Sequence, residues 1–429
     1  MIEIRKLAKE NLSAQIPMRS QFEYEEVNQS VKAILDDVSR RGDEALKDYN
    51  MKFDHADTPE LEIPKEEWIR ASRRIDPELL KVIQEAADNI RAYHEKQKRQ
   101  SFFMQAEKGT LLGQMILPIE KVGIYVPGGT AAYPSTVLMN AIPAKIAGVR
   151  ELVLVSPPGY QNSIPDAILA AAYVAGVDRV YRIGGAQAIA ALAFGTESVP
   201  AVSKIVGPGN IYVAMAKKMV FGKVAIDMIA GPSEVMVVAD EQANPAWVAA
   251  DLLSQAEHDK LACAILVTNS QEIAEKTALE LDRQVKLLPR FEIAGASLEN
   301  YGRIFVTDTI EEAIELANEI APEHLEIYTK DPMNYLSLIK NAGSVFLGAY
   351  TTEPLGDYLA GPNHTLPTSG TAKFASALSV DDFVKKTQVS YFTKEGMLSV
   401  ADDVAVFARA EGLEAHARAA LIRKDKENG

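Results

Sequence analysis

The pattern that sets the fold class is first seen in residues 121–147, KVGIYVPGGTAAYPSTVLMNAIPAKIA. A short β-rich apolar run (122–126) is followed by a glycine and proline turn and then by a longer apolar segment (135–147) with helical character. The same order recurs further along the chain, at 152–175, 180–194 and 204–219, with a last strand at 234–238. Strand, turn and helix in repeated order predict an α/β fold with a parallel sheet.

A second set of alternating segments begins with a predicted helix at 244–257 and a strand at 262–268, and continues to a strand at 344–347. The first 110 or so residues and those beyond about residue 374 are polar and helical in pattern. We therefore expect two α/β domains with parallel sheets, plus helical N-terminal and C-terminal extensions. The expected bounds are these: a helical segment 1–20, a discontinuous domain 21–120 with 236–375, a domain 121–235, and a helical tail 376–429.

The amino-acid composition of the chain excludes several classes of function. The chain has 429 residues, 47% of them hydrophobic, and a net charge of −14. Such an acidic balance argues against a nucleic-acid backbone or an anionic membrane as the main partner. A single cysteine, Cys263, excludes an internal disulfide framework and a cysteine-based zinc finger. No signal peptide is recognisable, and every apolar run is shorter than a membrane helix requires, so we expect a cytoplasmic protein.

Four of the six histidines lie in segments rich in polar groups, whereas His55 and His94 are predicted to be surface residues. Gln255 and His258 are three residues apart on a predicted helix, so they share a face and could hold a metal ion or a substrate. A histidine facing the helix dipole is the alternative. The adjacent Glu323 and His324 could bring a carboxylate and an imidazole to one cleft. An ordinary polar loop is the alternative there.

Residues 356–367, GDYLAGPNHTLP, describe a rigid loop that presents polar groups. Asp357 is a hard oxygen ligand and, with His258, would suit Zn²⁺ or Mn²⁺, although a simple cluster of turns has the same composition. Glu411 and His416 are five residues apart, about 140° round an ideal helix, and would not share a face. Either a helix starts between Glu411 and His416, or the two residues reach a site from the end of a helix. The alternative is that the tail is simply a solvated helix.

Three glycine-containing turns, residues 125–129, 184–187 and 207–210, each follow a predicted strand and precede a helix. This placement lets backbone N–H groups and a helix N-terminus meet a phosphate or a dinucleotide. The usual G-x-G-x-x-G fingerprint is missing, and glycines also occur at such turns simply because the chain reverses there. Ser233, in the similar turn 230–234, adds a hydroxyl group.

Eight segments in one order strongly resemble the histidinol dehydrogenase family, over residues 122–416. They are VGIYVPGG (122–129), GGAQAIA (184–190), GPGN (207–210), AGPSE (230–234), QAEH (255–258), APEH (321–324), GPNH (361–364) and EGLEAH (411–416). The resemblance implies two Rossmann-like domains, of which 121–235 would bind NAD⁺ without the usual glycine fingerprint. It implies that 236–375 carries most of the metal and catalytic residues. The tail 376–429 would reach the partner subunit of a homodimer.

The resemblance also implies roles for individual residues. One Zn²⁺ per subunit would be held by Gln255, His258, Asp357 and His416, the last coming from the other subunit. The catalytic pair would be Glu323 and His324. Substrate contacts would come from the metal ligands and His324 together with Ser233, His364 and Glu411. The NAD⁺ contacts would be Tyr125, Gln187 and Asn210.

The reaction implied is the oxidation of L-histidinol to L-histidine with two NAD⁺, through a bound L-histidinaldehyde, as the last step of histidine biosynthesis. Zinc would orient the substrate, His324 would act as general base, and Glu323 would activate water. A metallohydrolase is the nearest rival enzyme, but it would leave the three glycine turns without a role. A solute-binding or scaffold protein would leave the Glu323–His324 pair unexplained, and most solute-binding proteins would carry a secretion signal.

Overall fold

The structure, a computed structural model, describes residues 2–6, 25–128, 132–159, 162–229 and 231–424. Its strands are β1 (Glu3–Lys6), β2 (Phe102–Gln105), β3 (Leu111–Pro118), β4 (Lys121–Tyr125), β5 (Glu151–Ser156), β6 (Arg179–Arg182), β7 (Lys204–Val206), β8 (Ala225–Ile226), β9 (Glu234–Ala239), β10 (Cys263–Thr268), β11 (Arg303–Val306), β12 (His324–Tyr328), β13 (Ser344–Leu347) and β14 (Val384–Tyr391).

The helices are α1 (Glu25–Arg41), α2 (Asp43–Asp54), α3 (Lys65–Arg74), α4 (Pro77–His94), α5 (Pro134–Ala147), α6 (Asp166–Ala175), α7 (Gly185–Phe194), α8 (Ile211–Val220), α9 (Pro245–Ala256), α10 (Gln271–Gln284), α11 (Phe291–Tyr301), α12 (Ile310–Ile320), α13 (Glu353–Tyr358), α14 (Lys394–Ala410) and α15 (Glu414–Leu421). The chain divides into two compact units. The larger is Met1–Gln97 with Glu120–Phe383, and the smaller is Lys98–Ile119 with Val384–Gly429. None of the described helices is both long enough and apolar enough to cross a membrane.

A five-stranded sheet in the larger unit has the order β6-β5-β4-β7-β8, and every pairing in it is parallel. Its inner strands are buried on both faces, which explains why they are continuous apolar runs without alternation. Proline or asparagine begins several of the helices between the strands: Pro134 starts α5 and Asn210 caps α8. The strands and helices predicted for residues 121–220 are confirmed to within a few residues.

A six-stranded sheet in the same unit has the order β1-β11-β10-β9-β12-β13 and is also fully parallel. Successive residues of β9 serve opposite faces. Val235 and Val237 pack in a core with α9, α10 and α11, whereas Met236 and Val238 pack in a core with α12. Helices therefore cover both faces of the sheet, as in other parallel α/β folds. The predicted fold class, with two parallel α/β sheets, is confirmed.

The N-terminal residues are arranged differently from the prediction. Residues 21–120 were expected to join 236–375, but the apolar stripe of α1, which includes Val31 and Leu35, packs into the core of the five-stranded sheet. Helices α3 and α4 pack on α6 and α5 of the same sheet. An amphipathic pattern predicts that the apolar face of a helix packs against another element. It does not indicate which of the two sheets that element belongs to. The predicted helical segment 1–20 is wrong for Glu3–Lys6, which forms the edge strand β1, and residues 7–20 lie outside the described residues.

The smaller unit contains an antiparallel sheet with the order β14-β3-β2, followed by α14 and α15. The prediction of helical character is wrong for these three strands and right for the two helices. All residues of β2 are exposed and most of β14 is exposed, so neither strand shows the apolar and polar alternation by which a strand is recognised.

Candidate active site

His324 is the first residue of β12 and is buried. Its Nδ1 atom lies 2.9 Å from the carbonyl oxygen of Glu234. Because a carbonyl oxygen only accepts, Nδ1 carries the hydrogen and donates it, which leaves the lone pair on Nε2. Burial lowers the pKa of His324 to about 4 despite the opposing charge of Asp357. The imidazole is therefore neutral at physiological pH and can accept a proton at Nε2.

Glu323 lies immediately before β12 and is held by the same residue as His324. Its Oε2 atom accepts a hydrogen bond of 2.9 Å from the backbone N–H of Glu234. Both contacts arise because β12 runs parallel to β9, with His324 paired to Val235. Burial raises the pKa of Glu323 well above its usual value, and nearby carboxylates add to the rise. A buried carboxyl group with a raised pKa thus lies beside a neutral imidazole.

Two further acidic groups come from α13, one helical turn apart. Glu353 is buried, and its Oε1 lies 3.9 Å from Nε2 of His324. Burial and then the charge of Asp357 raise the pKa of Glu353 to about 8. Burial alone would raise the pKa of Asp357 as well, but a hydrogen bond from His364 and the charges of His364, His324 and His258 together outweigh it, and the net pKa is lowered. One of the two groups is therefore a neutral acid and the other a carboxylate.

The loop that carries His364 is anchored to the helices of the five-stranded sheet. Gly361 has φ of 103°, and a Cβ atom there would lie 2.8 Å from the carbonyl oxygen of Asn89 on α4. The side-chain amide of Asn363 donates to the carbonyl of Met139 on α5 at 2.6 Å. With both ends of the loop fixed in this way, Nδ1 of His364 is held 3.6 Å from Oδ1 of Asp357.

His94, which the sequence predicted to be a surface residue, is fully buried at the end of α4. Its Nδ1 lies 2.8 Å from the carbonyl of Ile90, and its Nε2 lies 3.4 Å from the amide nitrogen of Asn363. Burial lowers the pKa of His94, so the ring is neutral. The prediction is wrong because the polar surroundings in the sequence belong to the opposite face of the helix; His94 supports the loop rather than facing solvent.

The donor set beside His324 fits a metal ion. Gln255 lies in the last turn of α9 with only 1% of its surface exposed, and its Oε1 has no hydrogen-bond partner among the described residues. Such an orphaned acceptor suits a cation. His258, three residues later, is close enough for its charge to act on Asp357 and His324. Distances alone select a different group, His324, Glu353 and Asp357, whose donor atoms all lie within 4.8 Å of one another. Only Asp357 belongs to both sets.

Ser233 and Cys263 border the site at the start of β9 and β10. The carbonyl of Ser233 accepts a hydrogen bond of 2.9 Å from the N–H of Cys263, and Ser233 precedes the residue that holds His324. Ser233 is partly buried, in a place where it could contact a substrate. Cys263 is buried.

Glu411 and His416 lie in the smaller unit. α14 ends at Ala410, Gly412 adopts φ of 77°, and α15 starts at Glu414. A helix therefore does start between the two residues, one of the two arrangements that the spacing allowed. Both side chains are exposed in the single chain. Their assignment to the site stays a prediction.

A cavity of about 1110 Å³ lies beside the five-stranded sheet. Its lining includes all three residues expected to contact NAD⁺: Tyr125, Gln187 and Asn210. The Tyr125 hydroxyl accepts a hydrogen bond of 3.1 Å from the N–H of Gly185, and burial raises the pKa of Tyr125 to about 12. Oε1 of Gln187 has no hydrogen-bond partner among the described residues. The structure thus brings these three side chains to one cavity.

Comparisons with known proteins show the family to which this chain belongs. The family model described as histidinol dehydrogenase matches residues 17–424. The histidinol dehydrogenase of Geobacillus kaustophilus is 55% identical over 94% of this chain and 95% of its own length. That of Listeria monocytogenes is 56% identical over 94% of both chains. The chain belongs to the histidinol dehydrogenase family.

The crystal structure of histidinol dehydrogenase from Elizabethkingia anophelis has the same fold. It matches with a TM-score of 0.94 and 40% sequence identity, covering 99% of this chain and 98% of that one. Both the fold class and the resemblance to the histidinol dehydrogenase family are thus confirmed.

Several residues at the two sites of this histidinol dehydrogenase family member were not predicted from the sequence. Glu353 carries a signal that could have been used, since it lies four residues before Asp357 and shares its helix face. Asp54 lines the cavity at the end of α2, and burial raises its pKa to about 6. Glu326, two residues after His324 on β12, is a buried carboxyl group, and Asp251 on α9 is a partly buried one. These three have no motif around them, and only the fold brings them to the sites.

Proposed function

We propose that the chain catalyses the four-electron oxidation of L-histidinol to L-histidine with two NAD⁺, through bound L-histidinaldehyde. This is the closing step of histidine biosynthesis. Family membership supports the substrate and the product. The single observation that carries the mechanism is the pair at the start of β12, a neutral imidazole with its lone pair on Nε2 beside a buried carboxyl group whose pKa is raised.

The residues of the site would bind the two charged or polar ends of histidinol. Gln255, His258 and Asp357, with His416 of the partner subunit, would hold one Zn²⁺ per subunit. When bound, Zn²⁺ would orient the imidazole and the amine of the substrate, and NAD⁺ would accept hydride. The carboxylate of Asp357 makes the site favourable for a cation.

Glu323 and His324, at the start of β12, would carry out the proton transfers. Nε2 of His324 takes the proton of the alcohol in the first oxidation and that of the hydrated aldehyde in the second. Glu323, as a carboxylate, would take a proton from water as the oxygen of that water adds to the aldehyde carbon, and would return the proton to the former carbonyl oxygen to give the hydrate. A raised pKa makes its carboxylate a stronger base than an ordinary glutamate. Ser233, His364 and Glu411 would contact the substrate.

The cavity beside the five-stranded sheet would take NAD⁺, contacted by Tyr125, Gln187 and Asn210. Helix α7 starts at this cavity with Gly184 as its N-cap, and no side chain caps it. Its first backbone N–H groups are therefore suited to a pyrophosphate. We also propose a homodimer located in the cytoplasm, without a nucleic-acid or membrane partner. The family resemblance supports the dimer, and the net charge of −14 supports the absence of polyanionic partners.

The test is the absorbance of NADH formed from L-histidinol and NAD⁺, before and after chelation and after zinc is added back. We expect two NADH per histidinol, lost with the chelator and restored by zinc. One NADH per substrate would indicate an alcohol dehydrogenase that releases its aldehyde, and the role of Glu323 would fall. No NADH from folded, zinc-loaded protein would favour the metallohydrolase instead.

A further inference from the structure

Helix α13 is too short and too polar to be held in place by apolar packing. It has six residues, of which only Glu353 and Gly356 are buried, while 38% of Leu355 and 54% of Tyr358 are exposed. Isolated helices of this length are not stable in water. Since α13 carries both Glu353 and Asp357 of the site, polar contacts must fix its position.

Two carboxyl groups, the buried Glu326 and the partly buried Asp251, supply those contacts at the start of α13. Oε1 of Glu326, on β12, accepts a hydrogen bond of 2.8 Å from the backbone N–H of Glu353. Oδ1 of Asp251, on α9, accepts a hydrogen bond of 2.6 Å from the hydroxyl of Thr352, the N-cap residue. The Thr352 side chain makes no capping bond of its own, so the first turn of α13 depends on groups from two other elements.

The two carboxyl groups are also bonded to each other. Asp251 and Glu326 share a side-chain hydrogen bond, which requires one proton between them because two carboxylates cannot donate. Burial raises the pKa of both groups, and the charge of Asp251 raises that of Glu326 further. The hydroxyl of Ser254 on α9 adds a bond of 2.9 Å to Oε2 of Glu353. Helix α9, strand β12 and helix α13 are thus joined in one network.

Each joined element carries one part of the proposed site: Gln255 on α9, His324 on β12 and Asp357 on α13. We propose that Asp251 and Glu326 form a positioning pair that sets Asp357 against Gln255 and His324 and thereby assembles the metal and catalytic groups. This inference rests on the proposed function, in which Asp357 and Gln255 hold zinc. Neither member of the pair has a role in binding or proton transfer in the proposed mechanism.

The structure provides two substitutions at Glu326 that separate positioning from charge. Glu326→Gln keeps the oxygen that accepts from the N–H of Glu353 and offers an amide hydrogen to Asp251 in place of the shared proton. Glu326→Leu keeps a similar volume and removes both bonds. Asp240→Leu is the matched control, since Asp240 is buried and accepts from the N–H groups of Lys330 and Gln242 at 2.7 and 3.0 Å. It follows β9, about 20 Å along the strand from Glu234.

The zinc dissociation constant, measured by competition with a chelator, is the main readout, and kcat and KM for histidinol are measured on the zinc-loaded enzymes. We expect Glu326→Leu to weaken zinc binding about 10- to 100-fold, as loss of a supporting group does at other metal sites, and to lower kcat. We expect Glu326→Gln to stay within about threefold of the wild type, a small effect because both bonds are kept. Asp240→Leu should lower Tm and leave zinc affinity unchanged.

Three results would overturn the inference: wild-type zinc affinity in Glu326→Leu, an equal loss in Asp240→Leu, or a Glu326→Gln enzyme as impaired as Glu326→Leu. If Glu326→Leu does not fold, Thr352→Val decides in its place, because it removes only the hydroxyl that reaches Asp251. It should weaken zinc binding, and unchanged affinity would count against the pair. A wild-type protein that binds zinc but does not oxidise histidinol would overturn the proposed function alone; one that binds no zinc would overturn both.

Discussion

The two parallel sheets of the larger unit place their functional groups at opposite ends. In the five-stranded sheet, Tyr125 ends β4, Gly184 follows β6 and residues 207–210 follow β7, so the cavity lies at the carboxyl ends of the strands. In the six-stranded sheet, His324 begins β12 and its partner Glu234 begins β9, so the proposed catalytic pair, Glu323 and His324, lies at the amino ends. Ligands of open α/β sheets usually bind at carboxyl ends.

The chemistry of the two ends differs as well. The proposed cofactor end, which we call the cofactor end, is the carboxyl end of the five-stranded sheet. It presents glycine turns, backbone N–H groups and mostly uncharged side chains, although Lys52, Asp54 and His55 also line its cavity. The catalytic end, the amino end of the six-stranded sheet, presents buried titratable groups whose pKa values are shifted. Changes at the cofactor end should therefore act through backbone geometry on KM for NAD⁺, and changes at the catalytic end through protons and metal on kcat.

The largest effect is expected from His324→Ala at the catalytic end. Loss of the Nε2 lone pair removes the general base, so kcat should fall about 10²- to 10⁴-fold. Zinc content should stay at the wild-type level, because His324 is outside the proposed ligand set. His258→Ala should lose both zinc and turnover. Metal analysis and NADH rates of the two purified variants test this; a zinc-free His324→Ala protein would place His324 among the ligands, with Glu353 and Asp357.

Lys217→Met should have the largest effect at the cofactor end. Nζ of Lys217 lies 2.5 Å from Oδ1 of Asp227 and donates to the carbonyl of Gly207 at 2.8 Å, and both charged side chains are at most 2% exposed. Removing one partner leaves a buried, unpaired charge, which costs about 3–5 kcal/mol of unfolding free energy. We expect a lower Tm and a higher KM for NAD⁺, with zinc content unchanged. Exposed Lys218→Met is the control; equal Tm values for both variants would contradict the prediction.

The sequence predicted the parallel sheets well because their strands are buried on both faces and bounded by glycine or proline. The pattern of β5, an unbroken apolar run before Pro157, leaves no alternative to a buried strand. The antiparallel strands of the smaller unit could not be predicted, since β2 has no buried face in the chain. Nor could the sequence show which sheet α1 covers, because that depends on the shape of both surfaces.

The candidate site was predictable where a residue type is rare, and not where it is common. Histidine occurs six times, and its polar neighbours led to His258, His324 and His364. Acidic residues number 59, so Glu326 and Asp251 could not be distinguished from solvated carboxylates before their burial was known. The shifted pKa values also lie beyond the sequence, because burial in the folded protein produces them.

A smaller effect, confined to the backbone of the cofactor end, is expected from Gly207→Ala. Gly207 has φ of 107°, and a Cβ atom there would lie 2.1 Å from the carbonyl oxygen of Tyr125. The turn 207–210 must shift, and we expect KM for NAD⁺ to rise about tenfold, equivalent to roughly 1.4 kcal/mol, with kcat little changed. Gly222→Ala is the matched control, because Gly222 has φ of 102° but nothing within 4 Å of the added atom. If KM for NAD⁺ rises equally in both variants, the backbone strain at positive φ alone causes the rise, and the collision with the Tyr125 carbonyl oxygen contributes nothing.

The smallest expected effect is a difference between the two ends in how Tm depends on pH. Burial raises the pKa of Glu353 from an ordinary 4.5 to about 8, and that of Asp54 from 3.8 to about 6. Between the ordinary pKa and the raised pKa of each group, the folded protein holds a proton that the unfolded protein has lost. Each group therefore makes the stability of the fold decrease as the pH rises across that range. In zinc-free protein, the Tm of wild type minus that of Glu353→Gln should therefore decrease up to about pH 8. The same difference for Asp54→Asn should level off near pH 6. Tm from calorimetry between pH 5 and 9 measures both, and parallel curves would show that the two ends do not differ in this way.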